Sequence, residues 1–255
     1  MKENASTIIL NEPMGDSARR LRFEVDWQEY APGQFVMVAM PGGDAFLRRP
    51  FGIADLSGGS AEICVKVVGK GTRALARAVA GTELSVTGPC GKGFAPKTPG
   101  ETAVLVAGGY GIGPLLGLCQ GACKDVLLYY GARTKADFLY VDEILRRGVK
   151  TVFTTEDGSL GEKGLVSEAL ARDLDGIKNP SIFCCGPHGL LQAVARLGIE
   201  RSVPTQASTE EYMACGIGVC MGCVCERHDG QYARTCRDGP VFEARELKWG
   251  LGIRD

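Results

Sequence analysis

The chain has 255 residues, a formal net charge of −1 and 45% hydrophobic residues. That length carries one large domain or two to three small ones, and a charge so close to zero gives no electrostatic reason to expect nucleic acid or an anionic membrane as partner. No run of ~18 apolar residues is present to span a membrane, and residues 1–16 hold no apolar stretch of signal-peptide length, so a cytoplasmic protein is expected.

In such a compartment the 11 cysteines, five of them between residues 215 and 236, point to metal rather than to disulfides. Cys64, Cys90, Cys119, Cys123 and Cys184 lie scattered among apolar neighbours and read as small buried hydrophobes. The 36 glycines are about twice the usual share of ~7% and gather in tight loops, which suits close backbone approach to ligands.

Residues 1–96 show short apolar or alternating runs at Ser6–Leu10, Arg20–Val25, Gln34–Met40, Ala61–Val68 and Glu83–Thr87. Turn chemistry separates them at Ala31-Pro32-Gly33, Pro41-Gly42-Gly43-Asp44 and Ser57-Gly58-Gly59-Ser60, the spacing of a small antiparallel barrel. One short helix is predicted at Thr72–Val79, behind Gly69-Lys70-Gly71, where free N–H groups and the helix dipole face an anion. Arg48-Arg49-Pro50-Phe51-Gly52 ends an extended segment; an Arg, a Pro and an aromatic there can line a flat ring and pair a phosphate, and the plainer alternative is an edge strand with exposed arginines.

Arg-Pro-aromatic followed about 20 residues on by Gly-x-Gly-Thr resembles the flavin-binding barrel of the ferredoxin–NADP reductase superfamily. The resemblance implies FAD, with Arg49, Pro50, Phe51 and Gly52 along the flavin, Lys66, Val67 and Val68 on the neighbouring strand, and Gly71 and Thr72 at the pyrophosphate. Gly52 stands where the family usually has Ser, so a side-chain hydrogen bond to the flavin is absent.

From residue 97 the pattern changes to apolar strands alternating with helices, behind a Pro-Lys-Thr-Pro-Gly boundary at Pro96–Gly100. Thr102–Ala107, Val126–Tyr130, Val149–Thr154 and Ser181–Cys185 read as buried parallel strands, and Leu115–Ala122, Tyr140–Arg147, Leu165–Ala171 and Leu190–Leu197 as helices, which is a doubly wound α/β domain. Gly108, Gly109, Gly111 and Gly113, with Pro114, lie between the first strand and helix, where a dinucleotide pyrophosphate can approach the helix start.

Together with Cys185-Gly186-Pro187 after a late strand, this order resembles the pyridine-nucleotide domain of the same superfamily. The resemblance implies that Cys185 lies beside the nicotinamide, and Leu190 replaces a frequent Met at nearly equal volume. Arg133 offers a partner to a 2′-phosphate and Asp137 would repel one, which favours NAD over NADP. His188 reads as a helix-start residue and His228 as a loop residue.

Residues 203–255 open with a strand-like run at Ala207–Met213. Cys215, Cys220 and Cys223 then follow the C-x4-C-x2-C spacing of a plant-type [2Fe–2S] loop, with Cys236 downstream. Each iron needs two thiolates, and Gly216, Gly218 and Gly222 let backbone N–H groups turn towards the sulfurs. A structural zinc site is the alternative for four cysteines, but zinc sites are usually built from two separate pairs. Only 12 residues separate Cys223 from Cys236, and Glu226–Arg234 reads as one hairpin; Cys225 is a bystander pointing the same way as Cys223. Phe242, Leu247, Trp249 and Leu251 are expected to pack as core.

The cluster segment, short hairpin and Cys236-Arg237-Asp238-Gly239-Pro240 resemble the electron-transfer subunit of NAD-dependent, B-type dihydroorotate dehydrogenase. The resemblance spans nearly the whole chain: an antiparallel FAD-binding barrel (1–96), an NAD-binding α/β domain (97–202) and a small [2Fe–2S] domain (203–255). It implies a soluble oxidoreductase subunit in a heterotetramer with an FMN-containing dihydroorotate dehydrogenase catalytic subunit. Electrons would enter at the cluster, pass singly to FAD and leave as hydride to NAD+, since FAD exchanges both single and paired electrons. Related chains serve sulfide dehydrogenase and electron-bifurcating complexes, the alternative reading.

Overall fold

The computed structural model of the chain describes residues 2–16, 18–42, 46–119 and 125–249. Cys123 and Leu251, and part of the helix expected at Leu115–Ala122, lie outside the described residues.

Six strands close an antiparallel barrel: β1 (Lys2–Met14), β2 (Ala18–Glu24), β3 (Phe35–Ala39), β4 (Arg49–Ser57), β5 (Ser60–Lys66) and β6 (Glu83–Cys90), in the order β1-β2-β5-β4-β3-β6. Period-2 alternation builds it. Leu21 and Phe23 of β2 and Leu84 and Val86 of β6 point into a core shared with Ile53 and Ile63, while Arg20 and Arg22 face out. The flavin-type stretch is therefore a full strand, with Arg49–Gly52 at its start. Helix α1 (Lys70–Arg77) begins two residues before the predicted start and seats Leu75 in the barrel core.

The second layer is a seven-stranded sheet. Its strands are β7 (Thr102–Gly108), β8 (Val126–Ala132), β9 (Lys150–Thr155), β10 (Glu162–Lys163), β11 (Pro180–Cys185), β12 (Thr205–Ser208) and, after a hairpin of β13 (Val224–Glu226) and β14 (Tyr232–Arg234), β15 (Val241–Glu243). The order is β10-β9-β8-β7-β11-β12-β15, parallel except for β15. Residues 103–108 of β7 are all buried, as a central strand covered on both faces must be. Helices α2 (Ile112–Leu115), α3 (Val141–Arg146), α4 (Val166–Asp173) and α5 (His188–Glu200) connect the strands.

Two expectations need correction. The first helix starts at Ile112 and passes into a 3₁₀ turn over Leu116–Cys119; Pro114 sits in its first turn, where no N–H is needed. The run Ala207–Met213 is a strand only to Ser208, and that strand belongs to the α/β sheet, pairing parallel with β11 through Cys185↔Ser208. β12 and β15 thus both fall within 203–255 yet extend the nucleotide sheet, and the cysteine loop is carried between them. The hairpin is as expected, with β13 and β14 paired antiparallel. Phe242 and Leu247 are buried and Trp249 packs beside them.

Candidate functional site

The barrel site forms where β4 begins and α1 starts. Arg49 lies across the glycine turn so closely that a Cβ on Gly71 would meet its Nε at 2.5 Å. The two flavin motifs, 20 residues apart in sequence, are thus one surface: a guanidinium beside helix amides that have no intrahelical partner. The Thr72 hydroxyl is already engaged, accepting from the Val68 and Gly69 amides at 2.9 Å and donating to the Gly69 carbonyl at 3.1 Å. It shapes the loop, and what Thr72 presents outward is backbone N–H. Lys66 and Val67 are half-buried and Val68 is exposed. A cationic cradle with glycine at its floor fits the pyrophosphate of FAD.

The nucleotide site lies at the switch point of the sheet. β8 sits on one side of β7 and β11 on the other, so a crevice opens beyond their C-terminal ends. Register puts Cys185 beside Ala107, bringing Cys185-Gly186-Pro187 against the glycine turn. The four glycines have different reasons. A Cβ on Gly108 would sit 2.8 Å from both Pro187 and Leu190, and one on Gly111 would sit 2.6 Å from the Cys185 carbonyl carbon. Gly109 has φ +52° with nothing within 4 Å of a Cβ, and a Cβ on Gly113 would make ordinary contact with Ala54.

Cys185 is buried, and burial first, then the Glu210 carboxylate, pushes its thiol far up, so it stays protonated. Gly52 of the barrel meets Pro114 of the nucleotide site, where a Cβ would lie 2.5 Å from Cγ. The missing Ser at 52 leaves room for that contact.

Two residues at this crevice escaped sequence reasoning. The Tyr110 hydroxyl donates to Glu210 Oε2 at 3.2 Å, and the Lys66 ammonium stands 5.2 Å from the Tyr110 ring centroid. Glu210 is exposed as a residue, yet its carboxyl is crowded enough that desolvation raises its pKa against the Tyr110 hydrogen bond. Lys66 of the barrel, Tyr110 of the glycine turn and Glu210 beyond β12 therefore form one chain of contacts across the crevice. The only sequence signal was an acidic pair, Glu210-Glu211, inside a run that reads as a strand. Arg133 is exposed, while Asp137 is spent capping Thr134, accepting from its amide and hydroxyl at 3.1 and 3.0 Å.

The four cysteines fall into two pairs. Cys215 is half-buried and Cys220 exposed in the loop, while Cys223 and Cys236 share a buried apolar pocket with Phe35, Met37 and Cys90. The amides of Ile217, Val219 and Cys220 donate to Cys215 Sγ at 3.4 Å, that of Gly222 to Cys220 Sγ at 3.5 Å, and that of Cys236 to Cys223 Sγ at 3.4 Å. Desolvation opposes the Cys215 thiolate, but its three amide donors outweigh it and bring the pKa down to about 6. Among the described residues no three His, Cys, Asp or Glu side chains gather around one ion position. Two thiol pairs, ringed by N–H donors aimed at sulfur, fit two irons with two thiolates each.

Gly216 and Gly218 have φ of +68° and +83°, and a Cβ on Gly216 would lie 2.7 Å from Met37 Sδ, so the loop rests on barrel strand β3. Cys225 turns away to a separate apolar group with Ala233, Phe242 and Leu247. His188 is exposed at the start of α5, and His228 sits in the hairpin turn.

Three family models match successive parts of the chain. Residues 6–94 match the oxidoreductase FAD-binding domain family, residues 105–196 the oxidoreductase NAD-binding domain family, and residues 210–248 the iron–sulfur cluster binding domain of dihydroorotate dehydrogenase B. The dihydroorotate dehydrogenase B (NAD+) electron transfer subunit of Caldanaerobacter subterraneus is 36% identical over 243 residues, covering 94% of this chain and 96% of that one. The subunit of the same name from Enterococcus faecalis is 37% identical over 267 residues, covering 96% and 98%. Among solved structures, a chain of the electron-bifurcating NADH-dependent reduced ferredoxin–NADP oxidoreductase superposes with TM-score 0.84 at 28% identity, covering 96% of this chain and 90% of that one.

Proposed function

We infer the role of this chain from one premise: it belongs to the family of electron transfer subunits of dihydroorotate dehydrogenase B. We propose that it carries electrons between a partner dehydrogenase and NAD(H), coupling dihydroorotate oxidation to NAD+ reduction in pyrimidine biosynthesis. The observation that carries this reading is the contact of all three sites within one chain: Gly52 against Pro114, and Gly216 against Met37. Bound at the barrel, FAD exchanges a hydride with a nicotinamide and single electrons with an iron–sulfur cluster.

The residues of the chain do the positioning. Arg49 and the start of α1 hold the flavin pyrophosphate by charge and N–H groups. Gly108, Gly109 and Gly111 bring the second nucleotide against the turn, with Gly186 and Pro187 forming the opposite wall. The protonated Cys185 thiol offers a compact, uncharged surface beside the nicotinamide. Lys66 places a positive charge over Tyr110 at the flavin side of the crevice. Cys215, Cys220, Cys223 and Cys236 are the proposed cluster ligands.

The partner of this reading is an FMN-containing dihydroorotate dehydrogenase catalytic subunit, in a heterotetramer. Its docking face is the cluster loop, which presents Tyr212, Val219, Met221 and Tyr232 to solvent. No helix among the described residues is long and apolar enough to cross a membrane, and the cytoplasm is the compartment proposed. A second reading, the NAD(P)H-linked subunit of an electron-bifurcating complex, is favoured by the structural match at TM-score 0.84.

Co-purification from the native source, followed by anaerobic addition of dihydroorotate and NAD+, separates the two. NADH formation by a complex containing an FMN dehydrogenase supports the first reading. A complex that ignores dihydroorotate and splits electrons from NADPH between ferredoxin and NAD+ refutes it.

A further inference from the structure

Arg234, the last residue of β14, makes contacts that packing alone does not require. Its Nε and Nη2 donate to the two carboxylate oxygens of Asp238 at 3.0 and 3.2 Å, and its Nη1 donates to the Gly218 carbonyl at 3.1 Å. The carboxylate grip is local: Asp238 also accepts the Arg234 amide at 2.9 Å, and the Arg234 carbonyl accepts the amides of Arg237 and Asp238 at 3.0 and 2.7 Å. Residues 234–238 thus form a tight turn around Cys236, and the fixed fork sends its remaining arm across to the cluster loop.

The atom it meets there has a partner. Gly218 C=O and Val219 N–H belong to one peptide plane, with oxygen and hydrogen on opposite sides. That same Val219 amide donates to Cys215 Sγ at 3.4 Å. The chain of contacts therefore runs from guanidinium to carbonyl, and from the amide of that peptide to sulfur. A charged donor on the oxygen fixes the plane and draws electron density from the nitrogen side, making the amide a stronger donor.

Gly218 is constrained in both conformation and space. Its φ of +83° turns the peptide, and a Cβ there would strike the Arg237 Cδ at 2.7 Å. The two arginines flank it from the Cys236 turn.

We propose that Arg234 is a positioning residue that sets the strength of the Val219 N–H···S bond to Cys215 and thereby raises the reduction potential of the [2Fe–2S] centre. Hydrogen bonds to ligand sulfurs and nearby positive charge are among the levers that move cluster potentials. The inference rests on the [2Fe–2S] reading, which iron and acid-labile sulfide analysis of the wild-type protein decides separately.

The test is an anaerobic dye-mediated redox titration of the whole purified protein, with EPR of the reduced state, on wild type, Arg234→Met, Arg234→Lys and Asp238→Asn. Arg234→Met, which keeps the stem and loses charge and fork, is expected to shift the potential to more negative values and to change the EPR g-values at full iron content. Arg234→Lys retains a charge that can reach the Gly218 carbonyl and is expected to give a smaller shift. Asp238→Asn keeps the Arg234 charge and an acceptor oxygen for its fork, and the loss of a carboxylate is expected not to move the potential to more negative values.

An Arg234→Met protein with full iron, full sulfide and an unchanged potential and EPR spectrum overturns the proposal. If Arg234→Met does not retain the cluster, the lysine and Asp238→Asn variants decide. A shift to more negative values in Asp238→Asn as large as in Arg234→Lys would assign the effect to the shape of the turn and overturn the role of Arg234.

Discussion

Gly111 and Gly109 stand two residues apart in the same turn and are required for opposite reasons, which makes them a matched test of the nucleotide site. Gly111 has φ −62°, a conformation any residue adopts, but a Cβ there would lie 2.6 Å from the carbonyl carbon of Cys185 and 2.7 Å from the Gly186 amide. Ordinary contact starts at 3.4 Å, so Gly111→Ala must move the Cys185–Gly186 backbone by the better part of an ångström. Overpacking of that kind costs about 1–3 kcal/mol, and a ~1 Å misplacement of reacting groups can cost ~100-fold in rate.

Gly109→Ala meets no atom within 4 Å, but its φ of +52° charges an L-residue roughly 1–2 kcal/mol of backbone strain. Both variants should therefore lose similar stability in urea. Anaerobic stopped-flow bleaching of the flavin by NADH should separate them, with Gly111→Ala slowed ~100-fold and Gly109→Ala within about fivefold of wild type. Equal rates in two equally folded variants would refute the claim that the Cys185–Gly186 wall positions the nicotinamide.

Restoring the family serine by Gly52→Ser should weaken the chain, because its Cβ would meet Pro114 Cγ at 2.5 Å. A loss of about 1–3 kcal/mol in denaturant unfolding, relieved in Gly52→Ser/Pro114→Ala, is the expected result, and a serine variant as stable as wild type would contradict it. Cys220→Ser should abolish electron exchange with the partner and leave NADH-to-dye activity largely intact. Equal loss of both in a folded, FAD-containing variant would reverse the proposed order of carriers. Glu62 of β5 is ion-paired with Arg20 at 3.1 Å and Arg22 at 3.2 Å, yet burial outweighs both and raises its carboxyl pKa from 4.5. A raised carboxyl binds its proton more tightly folded than unfolded, so the stability it contributes is full below the unfolded value and lost as pH rises through the folded one. Glu62→Gln should accordingly melt no lower than wild type at neutral pH, since Arg20 keeps Glu143 at 2.9 Å; a lower melting temperature at neutral pH that recovers in acid would show the sign to be wrong.

Cysteine spacing, glycine turns and strand alternation were legible because each is local: the period of β2 or the C-x4-C loop needs no knowledge of what packs against it. Contacts between distant segments were not. Arg49 resting on Gly71 could be suspected only through a resemblance, and nothing in the composition of Glu210 distinguished it from solvated surface until β12 carried it to Tyr110. The extent of β12 was misjudged for a related reason. The run Ala207–Met213 looks strand-like, but it carries Glu210 and Glu211 and its pairing partners end at Cys185 and Val241, so the ladder stops at Ser208.

That stop is what places the cluster. The chain leaves the nucleotide sheet at Ser208 and re-enters it at Val241, directly opposite, so both ends of the cysteine segment are fixed by one antiparallel ladder. The segment's inner face is fixed elsewhere, because Cys223 and Cys236 share their pocket with Phe35 and Met37 of the barrel. Burying side chains of that size contributes about 1.5–3 kcal/mol each. To move the cysteines away from the flavin site would expose that pocket, and to move them with the barrel would break the β12–β15 ladder. A hinged carrier needs at least one loose attachment, and the described residues give this segment two firm ones, so its electron exchange with the flavin site proceeds at a distance set by the fold.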